Sequence, residues 1–338
     1  MDPLTQGLIG AALPQAVAPN RRLLLWAGCF GLVAGMLADL DVLIRSSSDP
    51  LLFLEYHRQF SHAILFIPVG GLVSAGLFHL FLRRWTGLPF KMVWLYCTLG
   101  YGTHGLLDAF TSYGTMLWWP LSDERVSFSI ISVIDPLFSV PVLVLVVLAA
   151  AYGKARFALR ALLWAALYLS AAMLQRHAAV EMGASLAASR GHIPVRLDAK
   201  PSFGNILVWK VVYEADERFF VDAVRATLAP RVFLGASVLK LNTGRDFPEL
   251  EKTSRQARDI DRFSRLSDGY LARDPSVAGR IIDVRYSMIP NEIDALWSIG
   301  VSAAAGPDAH VTFQTHRGDP MEGLRRLWSM LTAPAAGS

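Results

Sequence analysis

Long apolar runs broken by short basic turns fill the chain up to about residue 180, after which apolar and polar positions mix at ordinary globular density. A bilayer core about 30 Å thick requires about 20 apolar residues of helix. The runs Leu23–Ile44, Ala63–Leu82, Met92–Phe110, Ile130–Tyr152 and Ala161–Val180 have that length. Leu4–Ala16 is apolar but short, and predicts an interfacial or re-entrant helix, or a short crossing that leans on its neighbours. The pattern therefore predicts a membrane all-α helical bundle over residues 1–180, of about five long transmembrane helices plus a short N-terminal helix. A soluble α+β domain with a mostly antiparallel sheet is expected over residues 181–338.

In that second region a Gly- and Pro-punctuated linker is expected around Arg190–Pro201. Asn205–Tyr213 and Arg218–Ala226 combine β-branched, aromatic and polar positions on either side of a turn at Glu214–Glu217, which predicts a hairpin. Further strands are expected at Arg280–Met288, Ala295–Ala303 and His310–His316, a helix within Glu249–Ala272, and a short helix over Met321–Leu331.

Composition agrees: 53% hydrophobic and 18% charged residues, with mean hydropathy +0.37, are too apolar for one water-soluble domain. A net charge of +4 does not imply nucleic acid, because many Arg residues occupy short turns between apolar runs, where membrane orientation accounts for them. Lys and Arg are retained on the cytoplasmic side. Arg21 with Arg22, Arg83 with Arg84 and Lys91, and Lys154 with Arg156 and Arg160 can all be cytoplasmic at once. Residues 45–61, residues 111–129 and the C-terminal domain are then extracytoplasmic. No cleavable signal peptide is evident, since the first basic pair comes only at Arg21 and Arg22. Cys29 and Cys97 lie inside apolar runs and read as packing residues.

Ionisable groups in membrane helices are expensive and point to function. Asp39 and Asp41 sit near the end of the first long run; His57 and His62 frame His57-Arg58-Gln59-Phe60-Ser61-His62 before the second; His104 and Asp108 lie one helical turn apart near the end of the third. The topology drawn from Lys and Arg alone brings all six to one depth near the outer face. His104 and Asp108, at i and i+4, share a helix face. Imidazole nitrogen with carboxylate oxygen suits a divalent ion, zinc first and then manganese or iron, and the set is large enough for one or two. Such an ion lowers the pKa of a coordinated water to about 7 and supplies hydroxide for attack on phosphorus or a carbonyl. An uncoordinated Asp41 or Asp108 is a candidate general base, and Arg58 is a candidate for stabilising an anionic substrate. Asp135, before Pro136, is either another ligand or a helix cap. Thr111, Ser112 and Tyr113 are candidate partners of substrate or ligands, Trp118 and Trp119 an interfacial aromatic belt, and His79 a packed side chain. His177, His192, His310 and His316 show no paired spacing that demands a metal.

The stretches Asp2-Pro3-Leu4-Thr5-Gln6, Leu37-Ala38-Asp39-Leu40-Asp41, His57 to His62 and His104 to Thr111, with Trp119-Pro120 and Ile134-Asp135-Pro136-Leu137, resemble the YdjM-like family of bacterial inner-membrane proteins, described as metal-dependent hydrolases. The resemblance covers residues 1–180, and differs where family members carry His after Thr and this sequence has Gln6. It implies a multi-pass protein of the bacterial inner membrane. A more distant similarity to zinc-dependent phospholipase C-type enzymes favours phosphoester hydrolysis. The expected function is thus metal-dependent hydrolysis of a phosphoester, lipid or lipid-linked substrate at the outer face of the membrane. The rivals are a metal-binding or ion-transport protein and a membrane-anchored scaffold without catalysis.

Overall fold

A computed structural model describes residues 1–302 and 304–334. The chain forms two compact units. One comprises Met1–Ile44, Tyr56–Met173 and Phe203–Asn205; the other comprises Arg45–Glu55, Leu174–Ser202 and the described residues from Ile206 onward.

The first unit is helical. Asp2 caps α1 (Pro3–Val17) by accepting from the Thr5 amide at 3.0 Å, with Pro3 at the first helical position. Asn20 caps α2 (Arg21–Leu37), which tightens into a 3₁₀ turn over Ala38–Leu43. After the short α3 (Leu52–Tyr56) come 3₁₀ turns at Phe60–His62 and Ile64–Phe66. Next are α4 (Ile67–Thr86), α5 (Phe90–Ala109), α6 (Pro136–Tyr152) and α7 (Ala155–Ser189). Gly87 and Gly153 end α4 and α6 in the left-handed region that glycine enters without strain.

Between lipid-facing helices the hydrophobic effect gives no drive to associate, so close packing of small residues must supply it. A Cβ on Gly31 would lie 2.2 Å from the Gly10 carbonyl, and one on Gly100 would lie 2.5 Å from the Gly31 Cα. Backbones of α1, α2 and α5 therefore touch, and α1 is buried along most of its length rather than lying at a surface. On α4 the small Gly70, Gly71, Ser74 and Ala75 face inward while Leu72, Val73, Leu77, Leu80 and Phe81 are exposed, the inverse of a water-soluble helix.

Among the described residues three helices are long and apolar enough to cross a membrane: Arg21–Leu43, Ile64–Thr86 and Ala155–Ser189. The run Met92–Phe110 is helical as α5, but its polar residues dilute its hydropathy. The run Ile130–Tyr152 becomes helical only at Pro136, because Asp135 caps there and accepts from the Leu137 and Phe138 amides. The run at Ala161–Val180 is part of the longer α7. Cys97 is buried as expected; Cys29 instead lies on an exposed face.

The second unit holds two antiparallel sheets. One runs β1 (Arg196–Pro201), β2 (Val208–Ala215), β3 (Arg218–Arg225) and β4 (Arg231–Leu239) in sequence order. The expected hairpin is β2–β3, with Ala215 opposite Arg218 and both turn residues, Asp216 and Glu217, at positive φ. The second half of the stretch expected as a linker corrects to the edge strand β1, whose backbone pairs with β2 from Arg196 to Pro201, while residues 190–195 are turn and irregular. Short helices α8 (Thr243–Asp246) and α9 (Arg255–Leu266) follow. The second sheet is β5 (Leu271–Arg273), β6 (Arg280–Asp283), β7 (Trp297–Gly300) and β8 (Thr312–Thr315), ahead of α10 (Pro320–Thr332). Its strands are shorter than the runs expected for them, and the helix within Glu249–Ala272 is confined to α9.

Candidate metal centre

Six side chains from three stretches of the first unit meet. Asp39 and Asp41 come from the 3₁₀ turn that ends α2, His57 and His62 from the irregular stretch before α4, and His104 and Asp108 from the last turns of α5. Asp39 Oδ1 lies 3.4 Å from His62 Nε2 and 3.3 Å from His104 Nε2; Asp108 Oδ2 lies 3.3 and 3.6 Å from the same two nitrogens. A tetrahedral ion with bonds of about 2.0–2.1 Å holds its donor atoms about 3.3–3.4 Å apart, so these separations fit a single small ion. The four donors are within 4.8 Å of one another.

Hydrogen bonding points the same way. Near the end of α2, where carbonyls lose their helical partners, the Gly35 oxygen accepts from His104 Nδ1 at 2.6 Å. His62 Nδ1 is engaged by Ser61 Oγ at 2.9 Å and by Asp41 Oδ2 at 3.2 Å. With Nδ1 carrying the proton, each ring turns a bare Nε2 lone pair inward. Those two Nε2 atoms and Asp108 Oδ2 are buried with no hydrogen-bond partner. Buried polar atoms are ordinarily satisfied, and an ion at their shared focus would satisfy all three.

The remaining oxygens are occupied. Asp108 Oδ1 accepts from Gln6 Nε2 at 2.8 Å and touches the Met1 amino group. Asp41 Oδ1 pairs with His57 Nδ1 at 2.8 Å; its Oδ2 accepts from the Arg58 amide at 2.9 Å and from Ser61 Oγ at 2.8 Å. Arg58 takes a positive φ of 61° that turns its amide toward Asp41. Its Nη1 donates to Thr111 Oγ1 at 2.7 Å, and its Nε stands 2.9 Å from Asp108 Oδ2 without hydrogen-bond alignment, a contact of charge. With the imidazoles neutral, three carboxylates against Arg58 and the Met1 amino group leave the cluster an excess of negative charge. Only Asp39 and His57 open to solvent, with side chains 20% and 23% exposed.

Close backbone approach makes the cluster possible. A Cβ on Gly105 would fall 2.2 Å from the His62 carbonyl oxygen, so only glycine lets α5 come this near. Tyr101 donates to the Ser61 carbonyl at 2.7 Å and anchors the same stretch.

A family model described as YdjM inner membrane protein matches residues 1–179, a little over half of the 338-residue chain. The chain belongs to the YdjM family. Inner membrane protein YbcI of Escherichia coli (strain K12) is similar, with 35% identity over 119 residues, 35% of this chain and 64% of YbcI. The uncharacterized protein YfhP of Bacillus subtilis (strain 168) is 26% identical over 98 residues, 29% of each chain. This YdjM-family chain thus spans just under two thirds of YbcI and less than a third of YfhP. No solved structure matches it. Family and apolar helices together fit a bacterial inner membrane.

Other residues singled out in this YdjM-family sequence separate clearly. Asp135 lies outside both candidate ligand groups; it caps α6, and its Oδ2 accepts from Tyr168 at 2.8 Å. Thr111 serves Arg58, while Tyr113 lies under the guanidinium of Arg58 at 5.4 Å and that of Arg125 at 4.9 Å. His79 packs edge-on to Phe90. His310 pairs with Asp259 and His192 with Tyr213, while His316 meets Ser298. Ser61, Tyr101, Gly35 and Gly105 support the centre and were not readable from spacing; Gln6 was marked only by departing from the family pattern.

Proposed function

We propose that this chain is a membrane-bound metal-dependent hydrolase acting on a phosphoester or lipid-related substrate at the outer face of the inner membrane. Asp39, His62, His104 and Asp108 would hold a divalent ion, zinc first. The observation that carries this proposal is the meeting of two buried Nε2 atoms and two carboxylate oxygens, with nitrogen–oxygen separations of 3.3–3.6 Å that suit donors around one small ion. When bound, such an ion supplies Lewis acidity toward a substrate oxygen and lowers the pKa of water. Asp41 orients His57 and His62, and Arg58 holds Asp108. His57, tethered by Asp41 and partly exposed, is the group placed to exchange a proton with solvent. Arg58 gives an Nη1 donor to Thr111, and the other donors of its guanidinium are those that would stabilise an anionic substrate. A second ion at Asp39, Asp41 and His57 is less favoured, because protein donors already take both Asp41 oxygens.

Five crossings, with α5 and α6 completing the set, and an extracytoplasmic C-terminal domain follow from the basic turns, and bring the site to headgroup depth. A lipid substrate would reach it there without leaving the bilayer. One feature favours a second reading: four protein donors fill a tetrahedron, as in zinc sites that only hold a fold together. Full-length protein in detergent, loaded with zinc and given phosphodiester lipids, distinguishes the two. Turnover abolished by His62→Ala with expression unchanged supports the hydrolase. Stoichiometric zinc without turnover on any phosphoester supports the structural ion.

A further inference from the structure

Helix α1 carries no His, Cys, Asp or Glu, yet one of its polar side chains reaches the metal centre. Gln6 is fully buried. Its Nε2 donates to Asp108 Oδ1 at 2.8 Å and to the His104 carbonyl at 3.4 Å, so both amide protons are directed at the turn of α5 that carries the two ligands. Turning the amide over would set its oxygen against two acceptors, so the chemistry of the neighbours fixes which end is which. Oε1 is left buried with no hydrogen-bond partner. An apolar side chain would avoid that cost, so what this amide contributes is its pair of N–H donors. The backbone beneath it is held as closely. A Cβ on Gly35 would lie 2.9 Å from the Gln6 carbonyl oxygen, and the Gly35 carbonyl in turn accepts from His104 Nδ1 at 2.6 Å. All of these residues lie in the first, helical unit.

A carboxylate can hold an ion through one oxygen or through both. At Asp108 the two oxygens are already divided: Oδ1 takes the Gln6 amide and meets the Met1 amino group, while Oδ2 faces His62 Nε2 at 3.3 Å and His104 Nε2 at 3.6 Å. We infer that Gln6 is a positioning residue that sets the metal preference of the centre: by holding Oδ1 it limits Asp108 to one donor oxygen, and so keeps a four-donor set that suits zinc over manganese. Four mixed nitrogen and oxygen donors make the tetrahedron that zinc adopts, whereas manganese favours six-coordinate, oxygen-rich surroundings. A released Oδ1 would add a fifth donor and move the site toward the second kind. The inference rests on the metal reading of this same site and deepens it.

Full-length protein in detergent is compared with Gln6→Leu and with Gln15→Leu, which removes a second buried glutamine of the same helix, packed over Gly28. Zinc and manganese affinities are measured by chelator competition, and cobalt is loaded in place of zinc to read coordination from its visible spectrum. In Gln6→Leu zinc affinity should fall about 10- to 100-fold, as for partners that orient metal ligands. Manganese affinity should hold, so the zinc-to-manganese ratio narrows by the same factor, and the intense cobalt bands of a tetrahedral site should give way to the weaker bands of higher coordination. Gln15→Leu should match wild type in all three. If Gln6→Leu does not fold, Gln6→Asn keeps an amide on α1 but draws its N–H groups back by one methylene, with the same expectations. Zinc and manganese affinities that fall together with the cobalt bands unchanged, or that do not fall at all, overturn the proposal and leave the metal centre standing. Wild-type protein that binds no zinc overturns both.

Discussion

Gly105→Ala changes one methyl group and tests whether the backbones of α5 and the His62 stretch must touch for the centre to form. The new Cβ would sit 2.2 Å from the His62 carbonyl oxygen, a backbone atom with no rotamer to escape by. Real Cβ contacts start near 3.0 Å, so the two segments must part by about 0.8 Å, roughly four times the ±0.2 Å within which ligand distances hold. His62 and His104 sit on opposite sides of that gap and would both be displaced. The expected loss of zinc affinity is about 100-fold or more, about 2.7 kcal/mol at 1.36 kcal/mol per tenfold. The assay is chelator competition on full-length protein in detergent, beside Gly76→Ala, where a Cβ meets nothing within 4 Å. Gly105→Ala with wild-type affinity would refute the reasoning, because the centre would then not depend on this approach.

Two further outcomes are expected. Asp41→Asn leaves the four inward donors in place but weakens the hold on His57 and His62, so zinc affinity should drop about 10- to 100-fold without loss of stoichiometry. Loss of stoichiometry in the same titration would make Asp41 a direct ligand. Lys210 lies buried in β2, donating to Ser287 Oγ and the Glu292 carbonyl, and burial pushes it down to about 7. Between that value and its ordinary value near 10.5 the unfolded chain binds the extra proton, so this residue's contribution to stability rises with pH across the window and is flat below it. Hydrogen exchange in β2 and β3, corrected for intrinsic rates, should slow from pH 7 to pH 9 in wild type but not in Lys210→Met; equal pH dependence would contradict a buried, neutral lysine.

Much of the site was legible because charge inside an apolar run is costly enough to be informative by itself: Asp39, Asp41, His104 and Asp108 stand out against their surroundings. Spacing could not say which oxygen of which carboxylate faces inward. Asp41 read like Asp39, yet its oxygens are spent on His57, Arg58 and Ser61. Asp135 was ambiguous for the same reason, until its amide partners showed a cap. In the second unit the β2–β3 hairpin showed through its alternation and turn, whereas β1 did not. Arg196, Asp198 and Lys200 give it the composition of a linker, and only pairing with β2 and ion pairs such as Arg196–Glu214 and Lys200–Asp198 make it a strand. The excursion at Arg45–Glu55 was hidden because a single buried Leu51 and two acidic residues carry no period, and their partner Arg262 lies more than 200 positions away.

X-ray absorption at the zinc edge, on full-length protein made replete and then freed of loose ion, tests the central claim most directly. One ion per chain, with two imidazole nitrogens and carboxylate oxygens at about 2.0–2.1 Å, and loss of that ion in His62→Ala and in His104→Ala, is the predicted result. Protein that retains no ion, or an ion whose coordination shell is the same in both variants, would contradict it.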